Sequence, residues 1–215
     1  MPSSTITVRT PARERTSVSR RVSALGPRRE LHQVTGDPQL FSRDSDLWNQ
    51  WDRIPDDWPL LPMIGRKQPS ILYTVGERHR ERAAMISDAL EAVDPFELRS
   101  HAEKFADELI DAVCAKGETD IVADYAALLP VRVLATLYGF SDEQGPGLVT
   151  ALNDMINGRE GALDGQRHLA ASMARLLADR KETPANDVVS RMLADPSGFT
   201  DEEIAQDLMV MMAAG

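Results

Sequence analysis

The sequence predicts a mostly α-helical fold. Three observations carry that expectation. Helix-start signatures stand ahead of apolar stripes of helical period, glycine or proline closes each stripe, and strand-like alternation and internal repeats are absent.

Each element can be justified in order. Residues 1–27 are rich in Ser, Thr and Arg with little to bury, which predicts a disordered tail; the composition also suits a transit peptide, but not a secretory signal, because no apolar run follows. Residues 44–72 hold all three tryptophans and prolines 55, 59, 62 and 69. That proline spacing opposes regular structure. Trp48, Trp51, Trp58, Leu60, Leu61, Met63 and Ile64 are nonetheless too apolar for a solvated linker, so a long loop packed over the body is expected. A helix is expected over 76–90. In 94–117, Asp94 is the N-cap, Pro95 the first helical residue and Glu97 the box partner, with a stripe of Leu98, Ala102, Phe105, Leu109 and Val113 closed by Gly117. An apolar helix runs from Pro130 to Gly139, and Ser141–Gln144 repeats the capping logic for the next. Residues 167–183 form an amphipathic helix halted at Pro184, and a short helix spans Asn186–Leu193. Thr200 and Glu203 open the last helix with a capping box, and from Leu208 every side chain is apolar. Such a helix runs through the middle of a larger body.

Composition narrows the function classes. At 215 residues, with 42% apolar and 27% charged residues, the chain suits one soluble core. No apolar run is long enough to span a membrane. The net charge is −10, but residues 1–30 carry +5, leaving −15 for the rest, which repels nucleic acid and membrane phosphates. The single cysteine, Cys114, fits a reducing cytoplasm. It lies beside acids in a helix and is expected to pack as a small apolar residue rather than react. The four histidines show no zinc spacing. Met209, Met211 and Met212 read as adaptable core filling.

The sharpest local feature is GERHRERAAMISDAL at 76–90. Arg78, His79, Arg80 and Arg82 crowd a helix start, where free amides and the helix dipole favour a carboxylate or phosphate. The competing view is a solvated basic face, partly neutralised by Glu77 and Glu81.

The order of segments DPQLFSRDSDLW, IPDDWPLLPMIG, YTVGERHRERAAMISDAL, DIVADYAALLPVRVLATLYGFSDE, PANDVVSRML and FTDEEIAQDLMVMMAAG resembles the bacterial, soluble class of cytochrome P450 monooxygenases. The resemblance covers about residues 28–215, from the B helix to the first half of the I helix, and rests most on G-x-x-H-x-R and the final Ala-Ala-Gly. It implies a partial P450 fold in one helical domain, 28–215, that uses haem. His79 matches the histidine holding a haem propionate. An arginine usually follows four residues later, where this chain has Ala83; Arg82, one position early, is the candidate for that second contact. Trp58, Leu60, Leu61, Met63 and Ile64 match the roof of the substrate pocket, and Ala214 and Gly215 the start of the oxygen-groove motif. The acid and threonine after that pair, the E-x-x-R helix and the cysteine loop have no counterpart in these residues. The resemblance therefore implies a chain broken off in the I helix, without the axial cysteine and inactive alone. In a complete member, a small organic substrate is oxidised with dioxygen and electrons from a ferredoxin and its reductase. A non-catalytic, all-helical ligand-binding or regulatory protein is the alternative, but its recognition helix would have to lie in the proline-interrupted residues 1–30.

Overall fold

The computed structural model describes residues 7–8, 28–37, 41–44, 47, 49–58, 61, 67–114 and 116–214. The helices are α1 (Arg28–Gly36), α2 (Gly76–Glu91), α3 (Pro95–Cys114), α4 (Leu129–Tyr138), α5 (Gly145–Ile156), α6 (Ala162–Glu182), α7 (Val188–Leu193) and α8 (Asp201–Ala214). Helical content dominates, as expected, and the core lies where α4, α5, α6 and α8 meet.

Local chemistry explains most boundaries. Asp94 accepts from the Phe96 amide at 2.8 Å, opening α3 at Pro95. Only Phe105 and Leu109 of its expected stripe are buried; Leu98 is exposed at the outer end. Gly139 closes α4 in the left-handed region, φ 101°, a conformation glycine adopts at no steric cost. Ser141 N and Oγ both donate to Gln144 Oε1, holding the turn that leads into α5. At the α5–α6 crossing, a Cβ on Gly165 would lie 2.5 Å from the Ala151 carbonyl oxygen, so close packing of the two helices requires glycine. The short helix starts two residues later than expected, because Asp187 caps it through the Ser190 amide at 2.8 Å.

In α8 the box is complete. Thr200 N donates to Glu203 Oε2 at 2.9 Å, and Glu203 N returns to Thr200 Oγ1 at 3.3 Å. Leu208, Met209 and Met212 are buried against the other helices, and Tyr138 Oη donates to the Leu208 carbonyl at 3.1 Å. Burial pushes the Tyr138 phenol well above its usual range.

Three expectations need correction. Thr7–Val8 (β1) pairs in parallel with Glu118–Thr119 (β2), so the first 27 residues are not wholly tail; the others fall outside the described residues. Two-residue strands leave no alternation to read. Cys114 is exposed, because it ends α3 beyond the stripe's buried part. The proline-rich stretch holds two 3-10 turns, Trp51–Arg53 and Ile71–Tyr73, pinned by an edge-on contact of Trp51 with Tyr73 at 6.4 Å.

Candidate functional site

The start of α2 has no side-chain cap. Val75, at φ −136° and ψ 164°, is extended but has no side-chain acceptor, and Gly76 turns the chain into the helix at φ 61°. The cap residue therefore gives the first-turn amides no side-chain acceptor. Beside them lies a pocket of about 390 Å³. Residues 34–36 of α1, Phe41 and Arg43 form one wall; Thr74, Val75, Gly76, His79 and Arg80 form the other. His79 is half-buried, with Nδ1 3.2 Å from Thr74 Oγ1. Thr74 Oγ1 donates to the Ile71 carbonyl at 2.8 Å. Arg80 pairs with Glu77 on the surface. Arg78 leaves the pocket, donating to Glu203 Oε1 at 2.8 Å with its guanidinium 4.1 Å from the centre of the Phe199 ring.

Arg82 takes another route. It is 1% exposed, and its Nε and Nη2 lie 2.8 and 2.6 Å from Asp207 Oδ2. Nη2 also donates to the carbonyls of Pro69, at 2.8 Å, and Glu203, at 3.0 Å. Asp207, fully buried, accepts the Ile71 amide at 2.7 Å. Burial pushes its carboxyl upward, against the pull of the Ile71 amide and the Arg82 guanidinium. For Glu203, burial also acts upward, but bonds from Thr200 and Arg78 outweigh it and hold the carboxyl below its ordinary value. Arg82 is thus absent from the lining of the His79 pocket, and its donors are occupied by Asp207 and two carbonyls. The expected second anion contact is replaced by a three-way anchor joining α2, α8 and the end of the proline-rich loop. Ala83 is half-buried.

The remaining expected residues are dispersed. Trp58 lines a second pocket, about 190 Å³, with Asp56, Asp57, residues 158–160 and the start of α6 at Ala162 and Leu163. Leu61 is buried, while Leu60, Met63 and Ile64 fall outside the described residues. The two pockets share no lining residue. Ala214 is exposed on the last turn of α8, and Gly215 lies outside the described residues. No group of three His, Cys, Asp or Glu residues able to hold a metal occurs among the described residues, and no described helix is long and apolar enough to cross a membrane.

Sequence reasoning missed Thr74, Arg43 and Asp207. A threonine five residues before His79 gives no signal until a 3-10 turn brings it back. Asp207 did carry one: an acid directly before the wholly apolar run from Leu208, on a helix expected to cross the core, needs a partner if it is buried.

The pocket's donor set suits an acidic group: one imidazole, two guanidinium side chains and an uncapped helix start, with no Asp or Glu among the described lining residues. It fits the carboxylates of a porphyrin. Cys114 is not part of it, so no thiolate for iron is supplied there.

No family model matches the chain. Among solved structures, CYP154C4 from Streptomyces sp. W2061 superposes with a TM-score of 0.66 and 28% identity, over 80% of this chain and 44% of its own. The described helices are part of a cytochrome P450 fold. Curated relatives agree with that P450 architecture. Cyclomarin C epoxidase CymV from Salinispora arenicola is 28% identical over 210 residues, 91% of this chain and 51% of its own length. Steroid C26-monooxygenase from Mycobacterium tuberculosis is 25% identical over 186 residues, covering 80% and 48%. Cytochrome P450(MEG) from Priestia megaterium is 26% identical, covering 85% and 52%. The chain thus spans about half the length of the P450s it matches.

Proposed function

We propose that this helical unit serves a haem-thiolate monooxygenase that oxidises a small organic substrate with dioxygen and electrons from a ferredoxin and its reductase. The observation that carries the proposal is His79 on the wall of a cationic pocket at an uncapped helix start, within a partial P450 fold. Haem, when bound, supplies the activation of dioxygen and the transfer of one oxygen atom to the substrate. The chain's own residues bind and orient: His79, with Arg43 and Arg80 beside it, holds a propionate, and the α2 amides add to the same field. Ala214 and Gly215 open the oxygen groove. Trp58, Leu60, Leu61, Met63 and Ile64 cover the substrate and exclude water. Because Cys114 is exposed on α3 and outside the pocket, the 215 residues bind the cofactor through its carboxylates without ligating iron by thiolate.

Haemin titration of the full chain tests this. Wild type should bind, and His79→Ala should weaken binding roughly tenfold or more, the worth of a hydrogen bond to a charged group. Equal affinity in the variant, or no binding by wild type, sinks the proposal. The reduced, CO-treated complex should lack a thiolate-type absorption band.

A further inference from the structure

The bond between Thr74 and His79 has a consequence for any acid entering the pocket. A hydroxyl has one proton to give. Thr74 Oγ1 lies 2.8 Å from the Ile71 carbonyl oxygen and 3.2 Å from His79 Nδ1. A carbonyl can only accept, so the shorter contact takes the hydroxyl proton. The longer one is attractive only if Nδ1 itself carries a proton and donates to Oγ1. In the neutral ring, Nε2 then holds a lone pair, which repels a carboxylate. Only the ring protonated on both nitrogens donates to one.

We propose that Thr74 fixes His79 as the Nδ1–H tautomer, so that the pocket takes up a carboxylate group together with one proton on Nε2. This rests on the reading of the pocket as a propionate site and adds a positioning residue, Thr74, and a proton to it. The charged groups around the ring are consistent with that stoichiometry. Arg43, beyond α1, and Arg80, on α2, line the pocket; Glu77 is engaged by Arg80. Arg78 is directed to Glu203 and Arg82 to Asp207, both on α8. Among the described lining residues no carboxylate supplies the counter-charge for a protonated ring; the ligand's own carboxylate supplies it. Binding therefore strengthens as pH falls, by up to about tenfold per pH unit on the alkaline side, the limit for uptake of one proton.

Nitrogen-15 NMR of histidine-labelled full chain, with His79→Gln for assignment, reads the tautomer without any cofactor. At alkaline pH the proton should sit on Nδ1; an Nε2–H ring overturns the proposal. Thr74→Val, which keeps the shape and removes the acceptor, should free the tautomer. Its haemin affinity should vary less with pH, because a neutral Nε2–H ring donates without a further proton. Thr74→Ser should restore wild-type behaviour in both readouts. Haemin titrations of wild type across roughly pH 6 to 9 should show the rise in affinity towards acid, and protoporphyrin dimethyl ester should not. Haemin binding that is flat with pH overturns the proton coupling but leaves the haem reading standing. Failure of haemin to bind at any pH overturns the haem reading, and the coupling with it.

Discussion

Two helix starts in this molecule solve the same problem in opposite ways. At α8, Thr200 and Glu203 satisfy each other's amides and Glu203 also draws in Arg78, so the helix end is closed by its own side chains. At α2, Val75 makes no side-chain cap, and the helix start borders a pocket with His79, Arg43 and Arg80 among its lining residues. The contrast is between a terminus closed by its own side chains and one left open to an outside acceptor. Capping groups that supply acceptors internally leave no role for a ligand; cations around uncapped donors leave one acceptor missing.

The two ends are held together by Arg82 and Asp207, and cutting that tie should have the largest effect on the contrast. Asp207→Ala leaves a buried guanidinium unpaired and should cost about 3–5 kcal/mol in urea unfolding. The double change Arg82→Met with Asp207→Leu should recover much of that loss, since the main cost is the orphaned charge rather than the missing pair. Equal losses in single and double variants would contradict the buried-pair account.

Exchanging the chemistry of the two starts should give smaller, opposite shifts. Thr200→Ala opens the α8 box and should lower stability by about 1 kcal/mol, with haemin affinity unchanged. Val75→Asp, at a residue whose extended backbone suits an N-cap, should stabilise α2 by about 0.5–1 kcal/mol, yet weaken haemin binding by placing an internal acceptor where the ligand's belongs. A Val75→Asp chain that binds haemin as wild type does would remove the functional side of the comparison.

The smallest effect concerns acid. In the folded chain the Glu203 carboxyl is held below the usual carboxylate range, so its contribution is fully present above that range and is lost as pH falls through the lowered folded value. Urea midpoints followed from neutral pH into acid should therefore decline less steeply in Glu203→Gln than in wild type.

Much of this was legible in the chain. The Thr200–Glu203 box, the Asp94 cap, the Gly139 stop and the apolar run after Leu208 are signals that act within a few residues, and each appears in the structure. The basic cluster at the α2 start was legible as an anion-binding signature, but the sorting of its members was not. His79 and Arg80 line the pocket, Arg78 crosses to Phe199 and Glu203, and Arg82 is buried against Asp207. Nothing local sorts Arg78 and Arg82, because their partners Phe199, Glu203 and Asp207 lie more than a hundred positions away, whereas Arg80 pairs with Glu77 three residues before it. Cys114 shows the same limit in reverse: it is expected to pack as a small apolar residue, but the core does not reach the end of α3.

From the sequence alone came the helical class, several helix ends and the concentration of positive charge at one helix start. These follow from backbone hydrogen-bond satisfaction and apolar period, which operate over one or two turns. Tertiary structure decided which cations meet the pocket, that Thr74 turns back onto His79, and that Asp207 ties the proline-rich loop to two helices. Those outcomes depend on which groups are removed from water together, and a buried charge takes whatever partner packing brings within about 3 Å.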